Sequence, residues 1–146
     1  MTKNVLLAIK GLQFDGSPEN AEIETVTSAE YYIRNNSHYL IYEEAVEGFT
    51  QTTRNVIKFR EHSLELVRRG LINVHMIFEE NKKNMTNYAT PFGNIMIGID
   101  TKKILLAEEE ELIRVDAEYA LEVNYEHFAD CHITIRIQAQ KAEDQK

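Results

Sequence analysis

Histidine and cysteine side chains could carry much of the chemistry available to this chain. The chain has five histidines and one cysteine, and His127, Cys131 and His132 lie close together in the sequence. A structural metal site needs several such ligands around one ion. On a β-strand, Cys131 and His132 point to opposite faces, so the two cannot bind the same ion. We therefore predict no metal site, with Cys131 a small buried apolar residue and His132 on the solvated face.

An acidic run, Glu108–Glu111, could offer oxygen ligands to a hard cation. It lacks the spaced Asp, Asn and Gly residues that wrap a calcium ion, so a solvated loop is the favoured interpretation. The stretch Lys103–Glu111 also has helix-forming residues and no turn residue, and a helical turn here is an alternative. The chain shows no nucleophile elbow, phosphate-binding loop, dinucleotide fingerprint or zinc-protease helix. We predict neither catalytic residues nor a cofactor.

Side chains with an apolar stem and a polar tip are the remaining candidates for a functional site. Such residues can line a cavity and fix the orientation of one small ligand. A buried arginine would be the most informative, because its charge needs an anionic partner from the protein or from a ligand. Arg54 and Arg114 are the two arginines to consider, although both could equally lie outside. The candidates are Tyr31, Tyr39, Arg54, His75, Tyr88, Arg114 and Tyr119.

The composition limits where the protein works and what it binds. An apolar fraction of 43% with 27% charged residues is typical of a soluble globular protein. No apolar run approaches the ~18 residues of a membrane span, and the net charge of −8 opposes binding to nucleic acid. The single cysteine cannot form an internal disulfide, which favours the cytoplasm. We expect no targeting segment at the N-terminus, one domain over residues 1–140, and a frayed polar tail at 141–146.

Alternation of apolar and polar residues dominates the whole chain and predicts β-strands. In residues 112–123, Ile113, Val115 and every second residue onward form one apolar face. The same pattern, rich in β-branched and aromatic residues, predicts ten strands. They are expected at about 4–12, 21–34, 37–45, 52–60, 62–69, 73–80, 83–90, 94–103, 112–123 and 131–138.

The connections between these strands are short and carry turn residues, which favours sequential antiparallel hairpins. Loops are expected at Asp15–Asn20, at Arg34–Ser37, which is the tightest, and at Gly48, while Gly70 is a candidate for a positive φ. Pro91–Asn94 is predicted to form a hairpin turn, and Gly98 a bulge or bend. The predicted fold is all-β: a closed, antiparallel, up-and-down barrel of eight to ten strands, which removes the exposed sheet edges of an open meander.

Several segments together resemble a known family. They are EIETVTSAEYYIRNNSHYLIYEE at 22–44, TTRNVIKF at 52–59, LELVRRG at 64–70, Phe78, YATPFG at 88–93 and Thr101. The resemblance is to the YwiB-like family of small bacterial proteins, a domain of unknown function, and it covers approximately residues 4–138. It implies a lipocalin-like (calycin) β-barrel, and it brings no catalytic residue to transfer.

Two functions from different classes fit these expectations. The leading hypothesis is a non-enzymatic cytoplasmic barrel that binds a small, hydrophobic or amphipathic molecule in its cavity, with no nucleic-acid or membrane partner. The alternative is a structural or protein-interaction module with a packed interior, whose outer surface or homo-oligomer interface does the work. The state of the barrel interior distinguishes the two.

Overall fold

Ten β-strands account for nearly all of the described structure, a computed structural model that describes residues 4–11, 24–45 and 48–140. No helix occurs in these ranges. The predicted loop at Asp15–Asn20 and the tail at 141–146 lie outside the described residues. The strands are β1 Asn4–Lys10, β2 Glu24–Arg34, β3 Ser37–Ala45, β4 Thr52–Arg60, β5 Ser63–Gly70, β6 Val74–Glu79, β7 Lys82–Thr90, β8 Gly93–Glu108, β9 Leu112–Val123 and β10 Glu126–Ala139.

All ten strands belong to one antiparallel sheet in the order β6-β5-β4-β3-β2-β1-β10-β9-β8-β7. The sheet curls until β6 and β7, which follow each other in the chain, come side by side. Asn73 and Ala89 exchange two backbone hydrogen bonds of 2.9 Å there, and the Asn84 side-chain amide donates to the Ile77 carbonyl at 3.1 Å. The predicted all-β, up-and-down barrel is therefore confirmed, and it is nearly closed, with its seam between β6 and β7.

The inward face of every strand supplies the core. On β9, Ile113, Val115, Ala117, Tyr119 and Leu121 are buried, as the alternation predicts. Tyr119 packs edge-on against Phe78 of β6, with ring centroids 5.0 Å apart. The largest fully buried side chains come from eight of the strands and meet in the middle of the barrel. They are Tyr119, Phe59, Phe78, Leu7, Leu40, Ile57, Leu64, Met76, Ile99, Leu121, Ile133 and Ile135.

The two ends of the barrel differ in their connections. One end, here called the hairpin end, carries the turns at 35–36, 61–62, 80–81 and 109–111. The other, the loop end, carries the connections at 48–51, 71–73, 91–92 and 124–125. Since neighbouring strands run antiparallel, each strand has one terminus at each end.

The turn predicted at Pro91–Asn94 is displaced by one residue. The turn itself is only Pro91-Phe92, because Thr90 already pairs with Gly93 in the β7–β8 ladder. The Thr90 hydroxyl accepts a hydrogen bond from the Phe92 amide at 3.1 Å, which stabilises the tighter form. Gly93 adopts a φ of 136°, a conformation that L-residues rarely adopt.

Two other local predictions on β8, a bulge at Gly98 and a helical turn near Glu108, are wrong. Gly98 is not at the bulge, which lies between Thr101 and Lys103. A Cβ at Gly98 would stand 2.8 Å from the Met85 sulfur, so the glycine makes room for that side chain. The helical turn is absent as well, since β8 continues to Glu108 and pairs there with Ile113. Pairing of an alternating apolar segment with β9 overrides its helix propensity.

Candidate functional site

Four of the seven predicted site residues lie on the outside of the barrel rather than in a cavity. The Tyr39 ring stacks on Tyr32 at 4.9 Å between centroids. The other three contact carboxylates on the outer surface, so for Arg54 and Arg114 the structure decides between the two positions that the sequence left open, and His75 does not line a cavity. The contacting pairs are Arg54 with Glu43 at 3.5 Å, His75 with Glu65 at 2.8 Å, and Arg114 with Asp116 at 2.8 Å.

The three remaining predicted residues, Tyr31, Tyr88 and Tyr119, do point inward and are buried. Tyr119 is the deepest, and in the part of the chain described here its hydroxyl has no hydrogen-bond partner. Burial, with a smaller contribution from the Cys131 thiol, raises the Tyr119 pKa well above its ordinary value. Tyr119 is therefore a neutral member of the core and lies against Phe78.

The middle of the barrel is filled by its own side chains. The large core residues there are less than 2% accessible. A side chain that borders a closed cavity large enough for a water molecule would have accessible surface, just as one at the outer surface does. Side chains without accessible surface therefore border no such cavity. Around these residues the interior has no room for a ligand, so a binding site has to be sought at the ends or on the surface of the barrel.

An interior arginine exists, but it is Arg68 rather than Arg54 or Arg114. Its side chain is 12% exposed, and the guanidinium donates to Glu44 at 2.7 Å and to Asn55 at 3.1 Å. Tyr42 lies beside this group, where burial and then the Glu44 carboxylate raise its pKa to about 12. The anion that balances the buried arginine is therefore the protein's own Glu44. This cluster stabilises the loop end of the barrel.

At the hairpin end, a chain of polar contacts runs from the core to the surface. The Tyr31 hydroxyl is 2.7 Å from Nδ1 of His38, and Nε2 of His38 is 3.6 Å from a Glu108 carboxylate oxygen. The His38 ring also stacks on Phe59, with centroids 4.6 Å apart and planes 1° from parallel. His38 is therefore held by neighbours on three sides.

The tight β2–β3 turn creates this arrangement. Asn35 and Asn36 have φ values of 51° and 64°, as a type I′ hairpin turn requires. Arg34 then pairs directly with Ser37, which confirms the predicted position of the tightest turn. The register places His38 opposite Ile33, one step from Tyr31 on the same inward face.

The protonation states follow from the surroundings. Burial lowers the His38 pKa, and Glu108 opposes this effect only in part, so the ring is neutral at pH 7. Burial and then Glu108 raise the Tyr31 pKa, so its hydroxyl keeps its proton and can donate to Nδ1. The proton on His38 is then assigned to Nε2, which faces Glu108.

A groove opens directly beside this chain. The hairpin-end groove has a volume of about 380 Å³ and is lined by His38, Arg60, Glu61, Leu106 and Glu108. Arg60 is fixed on its rim, because it donates to the Ser37 hydroxyl at 2.6 Å and to the Asn35 carbonyl at 3.1 Å. Ile33, which pairs with His38 in the β2–β3 ladder, is 60% exposed although it lies on the inward side of β2.

A second groove of about 380 Å³ lies along β9 and β10 and is lined by Lys102, Glu118, Tyr119, Asp130, Cys131 and His132. Cys131 is half-buried, and burial raises its pKa, so the thiol is protonated and a poor nucleophile. Among the described residues, no three His, Cys, Asp or Glu side chains converge as metal ligands would. The hairpin-end groove is the stronger candidate site.

None of the five residues that line the hairpin-end groove is among the seven candidates named from the sequence. His38 shares its strand face with Leu40, and Glu108 shares its face with Ile104 and Leu106, so alternation could have placed both inside. Arg60 follows the buried Phe59 and gives no comparable signal. Only the fold reveals that β2, β3, β4 and β8 meet here.

The fold and this site define a small, nearly closed antiparallel barrel with a packed centre and one polar groove at its hairpin end. Residues 7–135 match the family model described as a domain of unknown function, DUF1934, and the chain belongs to this family. This confirms the YwiB-like resemblance. No curated protein sequence matches the chain.

One solved structure supports the fold over nearly the whole chain. The crystal structure of the ywiB protein from Bacillus subtilis aligns with a TM-score of 0.77 over 95% of this chain and 93% of its own. Sequence identity is 23%, so the likeness shows the fold alone. Among the described residues, no helix is long and apolar enough to cross a membrane.

Proposed function

We propose that this protein is a non-enzymatic, lipocalin-like (calycin) barrel that binds a small, partly apolar molecule in the hairpin-end groove. The observation that carries the proposal is the groove itself, where an apolar wall meets a fixed set of hydrogen-bonding groups. Leu106 provides the apolar surface, and His38, Arg60 and Glu108 provide the polar groups. Its volume of about 380 Å³ lies at the lower end of the range for small-molecule sites.

The polar groups of the groove are held in place before any ligand arrives. His38 is fixed by Tyr31 and Phe59, and Arg60 by Ser37 and the Asn35 carbonyl. Side chains that are already ordered lose little conformational entropy when a ligand binds, which favours affinity. A ligand with one hydrogen-bonding group and an apolar body of a few carbon atoms fits this arrangement.

The protonation states of the groove favour binding over catalysis. The Tyr–His–Glu order resembles a catalytic relay, but the raised Tyr31 pKa leaves no tyrosinate to act as a nucleophile. The Tyr31 hydroxyl also occupies Nδ1 of His38, so this nitrogen is not free to accept a substrate proton. The groups that remain accessible can donate and accept hydrogen bonds to a bound molecule.

The proposed setting is the bacterial cytoplasm, without nucleic-acid or membrane partners. A single, protonated cysteine suits a reducing compartment. The net charge of −8 disfavours nucleic acid and anionic lipid surfaces alike. The Bacillus subtilis relative supports a bacterial origin for this kind of barrel.

Native mass spectrometry of the protein purified from its own cytoplasm tests the proposal. We expect a defined small-molecule adduct that is released by mild denaturation. The amphipathic fluorescent probe 8-anilinonaphthalene-1-sulfonate should compete with the adduct for the same site. Probe emission should therefore rise after the adduct is removed from the protein. Protein that carries no adduct and does not respond to the probe would contradict the proposal.

A further inference from the structure

The outer surface of β3–β5 carries a continuous row of apolar residues, which departs from the alternation of apolar and polar residues. Ile41, Val56 and Val67 stand side by side in one row, since Ile41 pairs with Val56 and Val56 with Val67. All three point outward, because the neighbouring Leu40, Ile57 and Leu66 are the buried residues. The water-facing side of an antiparallel sheet is ordinarily polar, so an apolar row here indicates a covered surface.

A second row extends this apolar surface toward the hairpin end. It runs from Tyr32 through Tyr39, Lys58 and Glu65 to Ile77. The two tyrosine rings stack, and the Lys58 ammonium lies 5.7 Å from the Tyr39 ring centroid. We use the name β3–β5 face for these two rows together with the row Glu43–Arg54–Arg69 on the other side of Val56.

The charges on this face differ from those of the whole molecule. The three rows include two carboxylates, Glu43 and Glu65, and three cations, Arg54, Lys58 and Arg69. The chain as a whole has a net charge of −8, so two copies repel each other over most of their surfaces. The β3–β5 face is a region where an acidic protein can approach a second copy without that repulsion.

A two-fold axis along β4 makes the face complementary to itself. Such an axis exchanges β3 with β5, so Glu43 meets the partner's Arg69 on both sides of the interface. The same rotation sets Ile41 against the partner's Val67 and Tyr39 against the partner's Glu65, an acceptor for its hydroxyl. Arg54 and Lys58 lie on the axis, so each faces its own copy, and its pairing with a carboxylate, Glu43 at 3.5 Å and Glu65 at 3.9 Å, offsets this like-charge contact. We propose that the protein forms a homodimer through its β3–β5 faces.

The size of the face sets the expected affinity. The barrel wall is convex, so only the central strands β3, β4 and β5 can meet a second copy closely. Three strands spaced about 4.8 Å apart, and three rows about 7 Å apart, cover roughly 300 Å² per copy. A total of about 600 Å² is below the usual size of specific interfaces, so we expect a weak, transient dimer with a dissociation constant on the order of 100 micromolar. The hairpin-end groove remains accessible in this arrangement, because it opens at the end of the barrel rather than on its side.

Sedimentation velocity over a series of protein concentrations tests the dimer. The wild-type protein should change from monomer to dimer as its concentration rises, and Val56→Lys should remain monomeric. Leu105→Lys is the matched control, since Leu105 is an exposed apolar residue on β8, outside the three rows. It should dimerise like the wild type. A wild type that is monomeric throughout, or a Val56→Lys variant that still dimerises, would overturn the proposal.

A charge exchange tests the axis along β4. Glu43→Arg and Arg69→Glu should each raise the dissociation constant at least ~10-fold, because each places like charges opposite each other. The double variant should restore the wild-type value. Circular dichroism melts should confirm that all variants are folded. If the double variant stays as weak as the single ones, this interface geometry is wrong.

Discussion

At the scale of single residues, the structure separates two kinds of interior polar group. Arg68 is a charge whose partners come from the protein itself, Glu44 and Asn55. His38 is a neutral ring that lies between the core and a groove open to solvent. The first kind is expected to affect stability, and the second to affect both ligand binding and the response to pH.

Replacing Arg68 by methionine should destabilise the protein. The change removes the two hydrogen bonds that the Arg68 guanidinium donates to Asn55 and Glu44. The Glu44 carboxylate then loses its ion-pair partner and, among the described residues, keeps only the Asn55 amide, at 3.3 Å, as a donor. We expect a loss of about 1–3 kcal/mol in the free energy of unfolding, measured by urea denaturation. Arg69→Met, the exposed neighbour on the outer face, is the control and should cost less than about 0.5 kcal/mol. Equal effects from the two substitutions would show that the interior cluster has no special role.

The His38 environment predicts a pH dependence of stability. Burial lowers the His38 pKa, so between about pH 7 and pH 5 the unfolded chain binds more protons than the folded one. The free energy of unfolding should therefore fall as the pH falls through this range. In His38→Gln the free energy of unfolding should depend less steeply on pH. The difference in slope should correspond to less than one bound proton. Urea denaturation across the range measures the slope, and an unchanged slope in the variant would count against this assignment.

At the scale of the elements, alternation predicted the ten strands because each strand of a barrel has one face in the core and one in water. Placing the arginines was harder. In β4 both faces contain apolar residues, Val56 outside and Ile57 inside, so the sequence left the side of Arg54 open. Arg68 shares its face with Leu64 and Leu66 and could have been assigned to the interior. Arg114 already shares the polar face of β9 with Asp116.

The sequence predicted which segments form turns, but it did not predict the exact position of every turn. The tight Asn35-Asn36 turn and the positive φ of Gly70 are confirmed. The displaced Pro91-Phe92 turn depends on a side-chain hydrogen bond from Thr90 that a propensity rule does not contain. The groove residues could not be grouped from the sequence, because they come from β3, β4 and β8 and the turn after β4, which only the curvature of the sheet brings together.

Alanine substitutions at two glycines can distinguish the cost of backbone strain from the cost of steric crowding. Gly70 and Gly93 have similar φ values of 141° and 136°. A Cβ at Gly70 would lie 2.2 Å from the Thr52 carbonyl oxygen, whereas at Gly93 it would meet nothing within 4 Å. Gly93→Ala should therefore show backbone strain alone, about 1–2 kcal/mol, and Gly70→Ala should cost clearly more. Thermal denaturation compares the two, and a smaller loss for Gly70→Ala would contradict the packing described.

At the scale of the whole molecule, the centre of the barrel is packed, so the candidate functional regions lie on its surface and at its ends. The middle of the barrel supplies stability, since its large side chains are fully buried. The hairpin end presents a preorganised groove, and the β3–β5 face presents an apolar, nearly neutral surface on an acidic protein. Ligand binding and self-association therefore use different regions and can be tested separately.

The central claim is that ligand binding depends on the hairpin-end groove, and two adjacent leucines of β8 test it most directly. Leu106 lines the groove, whereas Leu105 points outward and is exposed. Native mass spectrometry should find the small-molecule adduct on Leu105→Asp at the wild-type level and reduced at least ~10-fold on Leu106→Asp, a change of about 1.4 kcal/mol in binding. Equal retention of the adduct by both variants would contradict the account.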